Sequence, residues 1–211
     1  MPRQVDAAAR RRAVVDALFR VVVRDGLQRA SLRAVADEAG LNIGSVRHYF
    51  GSQAELMRFA MRSMIDRVTR RLEDRLAGLG DLDALGADER RRVAVELLAE
   101  LLPLDEGRRA EITVFLDFGV AARTEPGLAD LAAEAARGTR ALARRALAGL
   151  SGAGAVRDGL DLDAETDRLA ALVDGLGLHG VLHPDTLSPR RCRAALAAHL
   201  EQLAPGGGAG G

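Results

Sequence analysis

The sequence contains no lysine and no tryptophan, and aromatic residues make up only 3% of it. The core must therefore be built from leucine, alanine and valine. The single cysteine, Cys192, excludes a disulfide framework and a cysteine-based metal site. No stretch approaches the roughly 18 consecutive apolar residues of a transmembrane helix, and the amino terminus lacks the apolar run of a signal peptide. We therefore expect a cytoplasmic protein.

What the sequence has in abundance favours helices. Hydrophobic residues make up 48% of the 211 positions and charged residues 28%, which is typical of a folded globular protein rather than a disordered one. Leucine and alanine are strong helix formers, and apolar residues recur at helical spacing in about nine segments. No segment shows a convincing strand pattern. The sequence therefore predicts an all-α fold of about nine helices.

Charge is unevenly distributed along a chain whose net charge is zero. Residues 1–51 hold nine arginines and five acidic residues, whereas the other 160 positions hold 21 arginines and 25 acidic residues. A basic amino-terminal part beside an acidic remainder is typical of a small DNA-contacting domain attached to a second domain. The alternative is an ordinary scatter of solvated charges.

Residues 31–50 have the pattern of a helix, a tight turn and a second helix. Ser31 and Asn42 are suited to cap the two helices, and Gly40 lies where the chain must turn sharply. Two short helices joined in this way form a helix-turn-helix, which places its second helix in the DNA major groove. The pattern alone also occurs by chance in helical proteins.

The context of this motif resembles one family at both ends of the chain. The stretch GLQRASLRAVADEAGLNIGSVRHYFGSQAEL, within residues 10–60, resembles the DNA-binding domain of the tetracycline-repressor (TetR) family. The carboxy-terminal LVDGLGLHGVLHPDTLSPRRCRAALAAHLEQL resembles the last two helices of the betaine-regulator-like subgroup. The resemblance implies a three-helix DNA-binding domain at 1–51 and a helical ligand-binding and dimerisation domain at 52–204. The glycine-rich tail at 205–211 is predicted to be disordered.

The resemblance also implies which residues contact DNA, with the recognition helix at about 42–49. Arg47 departs from the family, in which tyrosine is common; it could bind guanine in bidentate fashion or a phosphate, and both remain open. Gln53 stands where the family often has a lysine on a phosphate, so that contact is weakened. The expected DNA-contacting residues are Ser31, Arg33, Asn42, Ile43, Gly44, Ser45, Arg47, His48, Tyr49 and Gln53.

The same resemblance implies an effector site among the central helices and a dimer built by the last two. Candidate effector-lining residues, on apolar faces of a kind that more often form plain core, are Met64, Val68, Leu98, Phe115 and Phe118. The dimer is expected to use apolar faces that one protomer could not fully bury, namely Leu169, Leu172, Val173, Leu176, Leu196 and Leu200. Because aromatic residues are nearly absent outside the predicted DNA-binding domain, we expect an effector that is not choline-like.

No other motif carries chemistry. His179 and His183 lie four residues apart, but a third ligand is not nearby, so helix-end or interface histidines are favoured over a metal site. We find no pairing of nucleophile and base, and we expect neither a cofactor nor an enzyme. The leading hypothesis is a ligand-responsive transcriptional regulator, a repressor that acts as a homodimer. The alternative is a helical small-molecule-binding or interaction protein with little DNA binding.

Overall fold

The computed structural model describes residues 2–80 and 84–205, with side chains described from residue 7 onward. Over these ranges it contains no strand, a short 3-10 turn at Leu27–Arg29 and nine α-helices, so the predicted all-α fold is confirmed. The helices are α1 Pro2–Asp25, α2 Leu32–Glu38, α3 Ile43–Tyr49, α4 Gln53–Ala77, α5 Ala87–Ala99, α6 Glu106–Ala121, α7 Pro126–Gly152, α8 Leu162–Leu182 and α9 Pro189–Gln202. No helix in the described ranges is long and apolar enough to cross a membrane. The predicted disorder of the tail concerns residues that, apart from Pro205, lie outside the described part.

The chain divides into two compact units. The first unit comprises Met1–Arg67 and Thr113–Glu134, and the second comprises Val68–Ile112 and Ala135–Gly211. Each unit is therefore built from two separate stretches of chain. The domain limits predicted at residues 51 and 204 stay a prediction.

Helix α1 begins at a proline. Its first residue is Pro2, and it runs without a break to Asp25. Proline is favoured in the first turn of a helix because its ring fixes φ near the helical value and its missing N–H is not needed there. Ala7, Ala8 and Ala9 then continue the helix with the residue of highest helix propensity.

The first unit is organised around the packing of α1 on α2 and of α2 on α3. Val14, Leu18 and Val21 on α1 are fully buried, as are Val35 on α2 and Val46 on α3. Their spacing on α1 is the apolar stripe of a helix with one buried face. The short helices α2 and α3 are thus held by tertiary packing, because helices of seven residues are not stable alone.

Ion pairs tie α4 to the start of α7 within the first unit. The guanidinium of Arg58 donates two hydrogen bonds to the carboxylate of Asp130, at 2.6 and 2.5 Å, and another to the carbonyl oxygen of Gly127. The hydrogen bonds from Arg58 lower the pKa of Asp130 to about 2. The beginning of α7 is therefore held against the amino-terminal half of α4.

The second unit has an apolar core to which α5, α7, α8 and α9 contribute. Helix α9 packs against both α5 and α8. A loop of nine residues, 153–161, joins α7, which ends at Gly152, to α8, which begins at Leu162. Ala155 and Val156 in this loop are buried in the core, and the N–H of Arg157 donates to the carbonyl of Leu203 at 2.7 Å. The loop is therefore anchored to the core.

Candidate nucleic-acid interface

The helix-turn-helix has the predicted caps. The N–H of Ala34 donates to Ser31 Oγ at 3.2 Å, and the N–H of Ser45 donates to Asn42 Oδ1 at 2.7 Å. Each bond satisfies one of the backbone donors that a helix start leaves without a partner. Gly40 has φ of 65°, a left-handed conformation that a residue without a side chain adopts readily. Local sequence thus fixes where both helices begin and where the chain turns between them.

The predicted DNA-contacting residues lie on the start of α2, on α3 and at the start of α4. Val46 and Phe50 point the other way, into the core, and are no more than 1% exposed. The structure therefore brings the predicted residues onto the outer side of the motif. Those that are exposed are Ser31, Arg33, Asn42, Gly44, Arg47 and His48, and those that are partly buried are Ile43, Ser45, Tyr49 and Gln53.

Tyr49 is held at the end of α3 by its neighbour. Its ring contacts that of His48 edge-on, with 5.4 Å between the ring centroids. The phenolic hydroxyl of a tyrosine can donate to a phosphate oxygen, and a histidine ring nitrogen can do the same. The carboxyl end of α3 can therefore offer two donors to a DNA backbone.

Gln53 has a structural bond that sequence reasoning missed. Its Nε2 donates to the carbonyl oxygen of Ala30 at 3.1 Å, so the side chain ties the first turn of α4 to the residue that precedes Ser31, the N-cap of α2. One of its two amide hydrogens is thereby used inside the protein. A contact between residues 23 positions apart leaves no local sequence signal by which it could have been found.

Ion pairs within the protein neutralise part of the positive charge of residues 1–51. Arg20 Nε and Arg24 Nη1 each donate to the carboxylate of Glu38, both at 2.7 Å. The hydrogen bonds from Arg20 and Arg24 lower the pKa of Glu38, and the bond to Glu38 raises the pKa of Arg24. These arginines join α1 to the end of α2. The exposed Arg33 and Arg47 are therefore better candidates for contacting DNA.

The predicted effector-lining residues are divided between the two units. Met64, Phe115 and Phe118 belong to the first unit, and Val68 and Leu98 belong to the second. Leu98 is fully buried in the core of the second unit, Phe118 is 1% exposed and Met64 4% exposed. A surface depression in the second unit is lined by none of the five. Its lining residues are Arg75, Leu79, Glu89, Arg92, Val93, Glu96 and Leu97.

The residues predicted for the dimer interface lie largely inside the protomer's own core. Leu172 is partly buried against this core. The other five, each at most 6% exposed, are Leu169, Val173, Leu176, Leu196 and Leu200. The expectation that one protomer could not bury these faces is therefore wrong, because α8 and α9 cover each other and α5 covers α9. The large apolar side chains that α8 leaves exposed are Leu178 and Leu182, at 37% and 58%.

The two histidines near the end of α8 lie close together. The ring centroids of His179 and His183 are 5.7 Å apart, and both residues are exposed. Among the described residues no group of three or more histidine, cysteine, aspartate or glutamate side chains is placed to hold a metal ion.

Two family models match the chain over ranges that together span most of it. The model described as "Bacterial regulatory proteins, tetR family" matches residues 14–58, which include the helix-turn-helix. The model described as "BetI-type transcriptional repressor, C-terminal" matches residues 90–205. The HTH-type transcriptional regulator PksA of Bacillus subtilis is 33% identical over 203 residues, which are 96% of this chain and 94% of PksA. The chain belongs to the TetR family of bacterial transcriptional regulators.

Solved structures agree with this family assignment. A transcriptional regulator from Rhodococcus sp. Rha1 is 31% identical with a TM-score of 0.76, over 92% of this chain and 95% of that one. A protein from Saccharomonospora viridis, crystallised in complex with choline, has a TM-score of 0.81 over 93% of this chain and 98% of its own. At 23% identity, that likeness shows the fold alone.

This TetR-family regulator has an amino-terminal DNA-binding part and a carboxy-terminal ligand-binding part. The prediction of the family, of its betaine-regulator-like subgroup and of a transcriptional regulator is confirmed. Proteins of this family are transcriptional regulators rather than enzymes.

Proposed function

We propose that this TetR-family regulator represses transcription by binding a pseudo-palindromic DNA operator as a homodimer. The observation that carries the proposal is the outer side of the helix-turn-helix, where polar side chains project from two capped helices whose other sides are buried. Helix α3 would enter the major groove, with Ile43, Gly44 and Ser45 of its first turn nearest the bases. Arg33 and Tyr49 would contact phosphates on either side.

The dimer we propose uses the exposed sides of α8 and α9. Leu178 and Leu182 supply large apolar side chains there, while the leucines of the inner faces hold the protomer together. In a two-fold dimer, the same patch on each protomer faces its mate. The two recognition helices would then reach successive major grooves, about 34–36 Å apart along the duplex.

A small apolar or amphipathic effector would release the protein from its operator. The carboxy-terminal match to a repressor family and the choline complex of a structural relative support a ligand-responsive protein. An effector shifts the equilibrium between two states only by its difference in affinity for them. The five predicted effector-lining residues stay a prediction.

Operator binding is tested by selecting duplexes from a random library with the full-length protein. A regulator should enrich a pseudo-palindromic sequence and bind it with a steep decrease in affinity as salt rises, because several phosphate contacts release counterions. The alternative function, a small-molecule-binding protein with little DNA binding, is weakly favoured by the internal bond of Gln53. Enrichment of no sequence, with weak binding to all duplexes alike, would support that alternative.

Arg47 is expected to contribute to base preference. Replacing Arg47 by alanine removes an exposed guanidinium from α3 and should reduce discrimination between the selected duplex and single-mismatch duplexes by roughly tenfold. The measurement is fluorescence anisotropy against a set of mismatched duplexes.

The matched control is Arg33→Ala, on the first turn of α2. This variant should weaken binding to every duplex about equally and reduce the slope of log affinity against log salt by about one. Uniform weakening by Arg47→Ala as well would instead assign Arg47 to a phosphate.

Choline and betaine are expected not to bind. Quaternary ammonium groups are recognised by cages of several aromatic rings, yet outside residues 1–51 the sequence has only three aromatic residues, Phe59, Phe115 and Phe118. Calorimetry with either compound should detect no binding tighter than about 1 mM. The Saccharomonospora viridis protein is the positive control, and micromolar choline binding by this chain would contradict the prediction.

A further inference from the structure

The connector between α1 and α2, residues 26–30, is held by side chains from distant parts of the chain. It begins at Gly26, with φ of 81°, and continues as the 3-10 turn Leu27–Arg29. Gly26 stands at the cap position of this turn and has no side chain to bind its backbone donors. The first of these donors, the N–H of Leu27, instead binds Oδ2 of Asp117 at 3.2 Å.

The acceptor comes from α6, 90 residues further along the chain. Asp117 belongs to the stretch Thr113–Glu134, which forms part of the first unit together with the helix-turn-helix. Leu27 itself is only 6% exposed. A buried backbone N–H that loses its acceptor is costly, and a carboxylate is a stronger acceptor than a neutral group.

The other end of the connector is held as well. Gln53, at the start of α4, donates to the carbonyl of Ala30 at 3.1 Å, and Ala30 is fully buried. Directly after it comes Ser31, which caps α2. Besides its own backbone bonds, the connector is therefore held near both ends by side chains, by the acceptor Asp117 and by the donor Gln53.

We propose that Asp117 is a positioning residue for operator binding. It acts through the backbone of Leu27, which sets the place of Ser31 and Arg33 at the start of α2. The proposal rests on the proposed function, in which these two residues contact phosphates. Without the bond, the connector samples other conformations, and the apparent affinity for DNA decreases with the fraction of molecules that remain competent.

Charge alone predicts the opposite effect. Removing the negative charge of Asp117 makes the protein more positive, which by itself favours binding to DNA. Glu125, between α6 and α7, offers a matched control, because Glu125→Gln removes the same charge from the same stretch and leaves the Asp117 bond intact. If Asp117→Ala lowers the affinity for DNA and Glu125→Gln does not, the loss is caused by positioning and not by the change in charge.

The experiment measures the affinity of full-length variants for the duplex that the unmodified protein selects from a random library. We expect Asp117→Ala to bind roughly tenfold more weakly. Asp117→Asn still has a side-chain oxygen that can accept the bond, so its affinity should decrease less. Glu125→Gln should bind as well as the unmodified protein, or slightly better. Equal affinity of Asp117→Ala and Glu125→Gln would overturn the proposal.

A double-mutant cycle distinguishes positioning from a general loss of stability. If Asp117 acts through the start of α2, Arg33→Ala should reduce the affinity for the duplex less in the Asp117→Ala variant than in the unmodified protein. Arg47→Ala should reduce the affinity by the same factor in the Asp117→Ala variant and in the unmodified protein. Additive effects of Asp117→Ala and Arg33→Ala would contradict the proposal.

Amide hydrogen exchange tests the bond without DNA. In the free protein, the amide of Leu27 should exchange faster in Asp117→Ala than in Glu125→Gln, and unchanged exchange would also overturn the proposal. If the unmodified protein selected no duplex at all, the proposed function would fail and this proposal with it. Selection of a duplex together with unchanged affinity in Asp117→Ala would overturn this proposal alone.

Discussion

Replacing Arg71 by methionine is expected to lower the free energy of unfolding by about 3 kcal/mol. In the second unit, two nitrogens of Arg71 lie 2.8 Å from the carboxylate oxygens of Glu111, and Nε lies 3.2 Å from Glu100. Both glutamates are less than a tenth exposed. Burial lowers the pKa of Arg71, but the two carboxylates outweigh that effect and raise it overall. Urea denaturation followed by circular dichroism measures the change.

The loss is large because the carboxylates stay behind. Glu100 keeps Arg75, whose Nη2 lies 2.6 Å away, and the buried Glu111 loses a guanidinium that lies close to both of its carboxylate oxygens. Neutralising the remaining charge in the double variant Arg71→Met, Glu111→Gln should therefore recover part of the stability. A double variant less stable than Arg71→Met would contradict this account.

The same substitution in an exposed pair provides the control. Arg140 binds Asp167 at 2.7 Å, with half or more of each side chain exposed. Arg140→Met should change stability by no more than about 0.5 kcal/mol. All variants must be compared at one protein concentration, because association of a dimer adds to apparent stability. A similar loss in Arg71→Met and Arg140→Met would show that burial is not the cause.

Local chemistry explains what the sequence could predict. Ser31 and Asn42 determine where α2 and α3 begin, because their side chains accept hydrogen bonds from backbone N–H groups three residues away. Gly40 determines the turn between the two helices. Such signals act over one helical turn, so they survive in any tertiary context. The helix-turn-helix and its outward-facing residues could therefore be predicted without coordinates.

Tertiary contacts explain what the sequence could not predict. Periodicity identifies the face of a helix that is buried but not the surface that buries it. Leu169 and Leu196 were therefore predicted for a dimer interface, whereas they lie in the core of the protomer. Acidic residues on helices normally face water, yet Glu100 and Glu111 are buried beside arginines of another helix. The bond that the N–H of Leu27 donates to Asp117 joins residues 90 positions apart and has no local signature.

Gly180 is expected to tolerate no side chain. A Cβ added at this position of α8 would lie 2.6 Å from Cγ of Pro103 and 3.0 Å from Sγ of Cys192. Both neighbours are buried, and a proline ring cannot rotate away. We expect Gly180→Ala to lower the free energy of unfolding by about 2 kcal/mol, even though alanine favours helices. The measurement is again urea denaturation.

The sign of the effect decides between packing and helix propensity. Gly138, an exposed position within α7, has nothing within 4 Å of an added Cβ, so Gly138→Ala should raise stability by about 0.5–1 kcal/mol. Stabilisation by both substitutions would show that α8 can shift away from Pro103. Such a shift would stretch the bonds that Arg109 donates to the carbonyls of Gly180 and Val181, at 2.9 and 3.1 Å. Since these bonds satisfy carbonyls in the last turn of α8, we expect the helix to stay and the substitution to destabilise.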